Sequence, residues 1–314
     1  MERDQAQMSY TLKLTQDHDD RRLDRTLRSL WKNVTLGEIM KSIRKGEIRV
    51  NSKRVREPGT HIHTGDELAV PWGLNDESNH VKKFKASWGK IKIIFHGLNV
   101  LILNKPSGIL VQPDEPDGDS VISRVWAMTG STVPAAVHRL DRNTTGVLAV
   151  ALHGDSLRAL EDLFRNRRVR KFYMAVVAGK VNEDVIIDAP LLKDSENNLV
   201  SVSDEGQPAI TKCTCIDTDG EYSLVMLELL TGRTHQARVH MAHIKHPILG
   251  DRKYGDFHTN RKMKNITRPL LHAYELEFYD DVHESLSEIA GKKFRADIPD
   301  DMREFINARG FKVT

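Results

Sequence analysis

The chain has 314 residues, 39% hydrophobic and 29% charged, with two cysteines and a formal net charge of +3. That is enough chain to bury one large or two ordinary cores, and the composition excludes a mostly disordered chain, a disulfide-stapled scaffold and a bundle of membrane helices. No apolar signal core follows Met1 to Gln5, so a cytoplasmic protein is expected.

Charge is unevenly distributed. Twelve basic residues fall between Arg21 and Arg56, opposed by only Asp24, Glu38 and Glu47. Further blocks run through Arg165, Arg167, Arg168, Arg170 and Lys171, and through Arg252, Lys253, Arg261, Lys262, Lys264 and Arg268. Such clusters either form solvated faces or attract a polyanion. In the first block, local structure organises the charge. Leu23, Leu27 and Leu30 recur at helical spacing, and Trp31 extends their apolar side. Thr35-Leu36-Gly37-Glu38 has the form of a capping box, followed by the apolar stripe of Ile39, Met40 and Ile43. Gly46 is placed to end that second helix. Ile48 and Val50 alternate with Arg49, Asn51-Ser52-Lys53 turns the chain, and Val55 resumes, which predicts a hairpin. Gly59, Gly65, Leu68 and Val70 close this module with another strand. From Pro71 to Lys90 apolar periodicity lapses, predicting a linker and a domain boundary near residue 90.

In Arg22–Arg25 and Lys41–Asn51 the module resembles the RNA-binding domain first described in ribosomal protein S-four. The resemblance implies a phosphate-contacting face on the second helix and hairpin, with Arg22, Lys41, Arg44, Lys45 and Arg49 as candidates. Such residues would recognise shape and backbone charge more than base identity.

Beyond the linker, strands are predicted at 91–94, 100–103, 147–151, 172–177, 211–216 and 224–230. Helices are predicted at 121–128, 156–164 and 237–244, with a last helix capped by Asp300. Strands and helices mix without regular alternation or repeat, so the fold class is α+β, with a mixed sheet, and not a doubly wound one.

One segment stands out. His138-Arg139-Leu140-Asp141-Arg142-Asn143-Thr144-Thr145-Gly146 places an aspartate between two arginines just ahead of an apolar strand. Alone it reads as an ion-paired loop aspartate, or as a carboxylate aimed from a loop at the start of a strand. Two further segments accompany it: Lys171 to Gly179, and Thr231-Gly232-Arg233-Thr234-His235-Gln236-Ala237-Arg238 continuing to Asp251. Together with Asn104-Lys105-Pro106-Ser107-Gly108 and Leu271-His272-Ala273, they resemble the RluA family of RNA pseudouridine synthases over roughly residues 91 to 298. Ala189 to Lys193 and Tyr254-Gly255-Asp256 point within it to the RluC-like enzymes of large-subunit (23S) ribosomal RNA.

The resemblance implies four regions: a tail at 1–10, an RNA-binding domain at 11–73, a linker at 74–90 and a pseudouridine synthase domain at 91–314 with a largely antiparallel sheet. It implies Asp141 as the catalytic aspartate, Tyr173 against the target uracil and Arg238 paired with Asp141. Arg139 would fill the gap left by the extruded nucleotide, Leu271 would lie near the aspartate and tyrosine, and Arg233 and His235 would contact substrate. Two positions depart from the family pattern: Thr145 stands where serine is common, and Ala237 replaces a larger aliphatic, which is expected to loosen the aim of Arg238.

Turning uridine into pseudouridine breaks the bond from uracil nitrogen 1 to the ribose and joins carbon 5 instead. No net redox change occurs, so no cofactor or metal is expected; a carboxylate can attack the sugar or assist departure of the base. The implied partner is RNA, with no membrane and no obligate protein partner. Other readings use the same residues. His235, His240, His243 and His246 could ligate zinc, although interleaved cations oppose it. Cys213-x-Cys215 suits core packing more than metal or redox use. A non-catalytic RNA-binding or assembly factor, a nucleoside-cleaving glycosidase and a synthase acting on transfer RNA complete the alternatives.

Overall fold

The computed structural model describes residues 10–31, 34, 36–72, 91–115, 118–129, 131–194, 196–263 and 265–313. The Thr35 capping box, the linker at 74–90 and residues 1–9 of the tail lie outside them. The chain divides into two compact units, Met1–Lys85 and Ala86–Thr314.

In the first unit β1 (Tyr10–Lys13) and β2 (Arg21–Arg22) lead into α1 (Leu23–Leu30) and α2 (Leu36–Lys45). β3 (Ile48–Val50), β4 (Lys53–Val55), β5 (His61–Ile62) and β6 (Glu67–Val70) follow. β1-β6-β3-β4 form an antiparallel sheet, and β2 pairs with β5. The helical stripes read from the sequence meet on this sheet: Leu23, Leu27, Trp31, Ile39, Ile43 and Ile48 are all fully buried in one core. Gly46 ends α2 in the left-handed region at φ +68°. Asn51 and Ser52 are both at positive φ (+49° and +65°), the turn that suits the twist of the tight β3–β4 hairpin.

The second unit opens with β7 (Lys92–His96), β8 (Val100–Lys105), α3 (Val121–Thr129), β9 (Ala135–Ala136), β10 (Thr145–Ala151), α4 (Gly154–Arg165) and β11 (Val169–Ala178). β12 (Val185–Asp188), β13 (Leu191–Asp194), β14 (Leu199–Val202), β15 (Ile210–Thr218) and β16 (Tyr222–Leu229) come next. α5 (Gln236–His243), α6 (Phe257–Lys262), β17 (Leu271–Phe278), β18 (Lys293–Arg295) and α7 (Asp300–Arg309) complete it. Ten strands form one sheet whose path runs β12-β15-β16-β11-β17-β10-β8-β7, with β18 on β17 and β9 on β10. Every named pairing is antiparallel except β10 with β17. The fold is the mixed α+β class expected.

Both faces of the sheet are covered. On β11, Ala175 and Val177 join the larger core while Met174 and Val176 join a second one containing Met302 and Ile306 of α7. Alternation along a strand sends successive side chains to opposite faces, so the two cores flank the sheet. All seven residues of β10 are buried, as its unbroken apolar run implies. At α7 the expectation needs correction: Pro299 is the N-cap and Asp300 is the first helical residue. Asp300 therefore acts on the dipole of the first turn and does not cap the helix.

The parallel join of β10 to β17 begins at Thr145 opposite His272 and Gly146 opposite Ala273. Gly146 holds φ +120°, and a Cβ there would meet the Ala273 carbonyl oxygen at 2.1 Å. Only glycine permits both the dihedral and the approach. Gly146→Ala is expected to cost about 3 kcal/mol or more through strain and separation of the two strands, checked by denaturant unfolding. A wild-type midpoint would show that this join tolerates a side chain.

Candidate active site

Asp141 lies in the loop between β9 and β10, whose backbone is pinned from several sides. The Thr144 amide donates to the Asp141 carbonyl at 3.0 Å, and the Gly108 amide to the Arg142 carbonyl at 2.9 Å. Lys105, fully buried at the end of β8, donates through Nζ to the carbonyls of Arg142 (3.0 Å) and Pro106 (2.9 Å). Burial pushes its pKa down to about 7, partly opposed by the negative charge of Asp141. Buried Arg268 reaches the Asn143 carbonyl at 3.5 Å and is held from α7 by both oxygens of Asp301 at 2.6 and 2.7 Å.

Arg238, on the first turn of α5, donates through Nη1 to Asp141 Oδ2 at 3.0 Å. Its other edge is clamped by Asp251, with Nε to Oδ2 at 2.7 Å and Nη2 to Oδ1 at 2.8 Å. Asp251 is fully buried and also accepts the amides of Lys253 (3.0 Å) and Tyr254 (3.2 Å). Burial opposes charge on both partners, but their pairing outweighs it. Asp251 is held below the ordinary carboxylate range and Arg238 above the ordinary guanidinium value. The expected loosening of Arg238 by Ala237 is thus corrected: the aim of the guanidinium is set by Asp251.

The turn into α5 is organised by Gln236, whose Oε1 accepts from Thr231 Oγ1 (2.7 Å) and the Arg233 amide (3.0 Å). Its Nε2 donates to the Ile210 carbonyl and Thr211 Oγ1, both at 3.0 Å. His235, left-handed at φ +55°, places Nε2 3.8 Å from Asp141 Oδ2 and Nδ1 2.7 Å from Tyr254 Oη.

Tyr173 on β11 and Leu271 on the adjacent β17 are both buried in the larger core. Burial first, and the charge of Asp141 second, raise the Tyr173 hydroxyl above the usual tyrosine pKa. A cavity of about 640 Å³ opens over the loop, with Arg139, Asp141, His235, Arg238, Arg252 and Lys253 on its wall. Asp141 retains 26% side-chain exposure there. Arg233 lines an adjoining smaller groove and donates through Nε to the Pro208 carbonyl at 3.1 Å. The structure therefore brings Asp141, Arg238, His235 and Arg139 to one cavity, keeps Tyr173 and Leu271 in the core, and sets Arg233 aside.

Of the other histidines proposed as ligands, His243 is exposed and two are engaged separately. His240 is buried between Thr211 Oγ1 and the Ala189 carbonyl, each at 2.9 Å, and His246 Nδ1 lies 2.9 Å from the Ala178 carbonyl. Among the described residues no three His, Cys, Asp or Glu side chains converge as metal ligands. Cys213 is buried, which pushes its thiol pKa up to about 12.

In the first unit Lys41, Arg44 and Lys45 are exposed on α2 and Arg49 is half-buried on β3. Arg22 is exposed but grips Asp24 with two bonds at 2.9 and 3.1 Å, and Lys45 lies 3.6 Å from Glu47. Among the described residues Lys41 and Arg44 face no acidic partner.

Residues 99–243 match the RNA pseudouridylate synthase family, and residues 21–68 match the S4 domain. The chain is 34% identical over 286 residues to the ribosomal large subunit pseudouridine synthase C of Vibrio cholerae, covering 88% of this chain and 90% of that one. It is 36% identical to the protein of the same name from Escherichia coli, over 84% of this chain and 87% of the relative. The chain belongs to the RNA pseudouridylate synthase family. A structure of human RNA pseudouridylate synthase domain containing 4 shares its fold with a TM-score of 0.57 at 24% identity, over 70% of this chain and 94% of the human one. The isomerase reading of the sequence stands, and RNA is the partner class of both domains.

Several residues at or behind this candidate site carried no role in the sequence reading. Asp251, Tyr254 and Lys105 lay inside motifs quoted only for their resemblance. Thr145 and His272 are a bonded pair: Thr145 Oγ1 lies 2.9 Å from His272 Nδ1, and His272 Nε2 donates to the Ala296 carbonyl at 3.3 Å. The hydroxyl at 145 is what this bond uses, so threonine serves. His138 accepts the Ala149 amide at 3.0 Å and stacks on Phe164.

Burial holds the pKa of His272 down to about 4 and that of His138 to about 3. Between pH 6.5 and about 4 the unfolded chain binds protons that these folded rings refuse, so stability is lost as the pH is lowered through that window. At about 1.4 kcal/mol per shifted unit, His272 alone accounts for a loss of about 3 kcal/mol. Calorimetry from pH 4 to 7 should show a shallower decline in His272→Gln; an unchanged slope would exclude this ring as its source.

Proposed function

We propose that this protein isomerises selected uridines to pseudouridine in large-subunit ribosomal RNA, with Asp141 as the acting carboxylate. One observation carries the assignment: Arg238 and His235 both address Oδ2 of Asp141, and among the described residues no donor occupies Oδ1. A carboxylate oriented through one oxygen offers the other to a substrate entering the 640 Å³ cavity.

The reaction exchanges a bond from ribose carbon 1′ to nitrogen 1 for one to carbon 5. The proton lost at carbon 5 is matched by one gained at nitrogen 1. Asp141 Oδ1 assists cleavage, either by bonding to ribose carbon 1′ until carbon 5 displaces it, or by assisting departure of the base; it later helps move the proton released at carbon 5. Arg238 holds the carboxylate through both charge states. Because the conversion is redox-neutral, no cofactor is called for. The target base must leave its stack, which costs a few kcal/mol. Arg139, Arg252 and Lys253 on the cavity wall offer cations to the strand and to the gap left behind. Tyr173 and Leu271 form the apolar side of the uracil subsite, and His235 and Arg233 contact the substrate strand.

Lys41, Arg44, Lys45 and Arg49 on α2 and β3, together with Arg22 on β2, contact phosphates of the RNA. The relatives' names support the ribosomal substrate; the cytoplasm is the compartment proposed, without an obligate protein partner. Among the described residues no helix is long and apolar enough to cross a membrane.

Asp141→Asn should abolish pseudouridine formation, read by carbodiimide primer extension, while RNA binding persists. Activity at the wild-type level would remove Asp141 from the chemistry. Deleting the gene should remove one to three pseudouridines from large-subunit RNA; loss from transfer RNA alone would correct the substrate. Replacing Lys41 and Arg44 with Gln should weaken binding and reduce the salt slope of log K by about 0.7 to 0.9 per lost phosphate contact. A slope identical to wild type would place the contact face elsewhere.

A further inference from the structure

Tyr254 stands just beyond α5 in the chain and belongs to none of the groups assigned above. Its hydroxyl joins three elements. Oη accepts the Val200 amide of the β13–β14 hairpin at 3.0 Å and lies 2.7 Å from His235 Nδ1. Its ring lies under the Arg238 guanidinium at 5.0 Å and meets His235 edge-on at 5.5 Å.

We propose that Tyr254 is a positioning residue for the isomerisation, fixing the tautomer of His235 so that the Nε2 proton faces Asp141. The inference rests on the reading of Asp141 as the acting carboxylate. With the Val200 amide already donating to Oη, the phenolic proton needs an acceptor. Among the described residues His235 Nδ1 is the acceptor within reach. A half-buried hydroxyl proton left unpaired is costly, so Tyr254 donates and Nδ1 accepts. The ring proton is then confined to Nε2, the nitrogen that lies 3.8 Å from Asp141 Oδ2.

Three features agree with this arrangement. Burial lowers the His235 pKa; Asp141 opposes that, while Arg238 and Lys253 add to it, favouring the neutral ring that a single tautomer requires. His235 holds a left-handed backbone, uncommon for a non-glycine residue and retained where surrounding contacts over-determine it. At 3.8 Å the Nε2 to Oδ2 separation is longer than a hydrogen bond. The N–H therefore acts as an oriented dipole beside the direct bond from Arg238, and both mark Oδ2 as the held oxygen. The opposite tautomer would turn a lone pair toward the carboxylate and repel it.

The test is nitrogen-15 NMR of the full-length protein with labelled histidine, His235 being assigned by its loss in His235→Gln. The wild type should show an unprotonated Nδ1 and a protonated Nε2; a protonated Nδ1 overturns the proposal directly. Tyr254→Phe keeps the ring under Arg238 and removes only the hydroxyl. It should mix the two tautomers and lower kcat by about 10- to 100-fold, leaving KM for RNA near wild type. His235→Gln added to Tyr254→Phe should cost little more than either change alone, because both break one chain of bonds. Wild-type kcat in Tyr254→Phe, or independent additive losses, would also overturn it. If Asp141→Asn stayed active, the reading of Asp141 itself would fall. If Asp141→Asn is inactive and the tautomer is wrong, only the role of Tyr254 falls.

Discussion

The arrangement of the site depends on a fully buried carboxylate, Asp251, more than on the aspartate at its centre. A guanidinium presents two donor edges. Asp251 takes the edge formed by Nε and Nη2 with two short bonds and leaves Nη1 for Asp141. Neither charge would be tolerable alone at this depth, since removing one partner of a buried pair strands the other at a cost of about 3 to 5 kcal/mol. The two amides that also reach Asp251 spread its charge and tie it to the turn before Tyr254. Arg238 is consequently a fixed donor and not a flexible surface cation. Its fixity passes to the side chain of Asp141.

The sheet supplies a second constraint. β10 and β17 run parallel at the one place where the Asp141 loop enters the core, and Gly146 allows the backbones to close there. That join brings Leu271 and the Arg268 carbonyl-binding network beside residues more than a hundred positions earlier. Lys105 closes the same loop from β8. Three strands distant in sequence thus hold one short segment, while α5 and its N-cap residue deliver Arg238 and His235. Rigid elements carry the site and a pinned loop presents its carboxylate, the division of labour that precise positioning demands.

Local features were legible in the chain. Helical spacing of Leu23, Leu27, Ile39 and Ile43 marked a core that is fully buried, and the glycine at 46 ended its helix as its dihedral freedom allows. The apolar run at 147–151 marked a strand covered on both faces. The Asp141 and Arg238 segments were recognisable as a pair, and the two side chains meet at 3.0 Å. Hairpin β13–β14 escaped notice because its short, largely exposed strands carry little periodicity. Asp300 was misplaced by one residue because a proline can fill the cap position that a side-chain oxygen usually takes.

What residue order determined by itself was the family, the candidate side chains and the periodicity of the elements that carry them, since all are written in side-chain type and spacing. The partnership of Arg238 with Asp251, of His235 with Tyr254 and of Thr145 with His272 was decided only when the chain folded. Each of these bonds joins groups whose chemistry is ordinary in isolation. Their meaning comes from burial, because a polar atom removed from water must find its partner among whatever the sheet and helices bring near it.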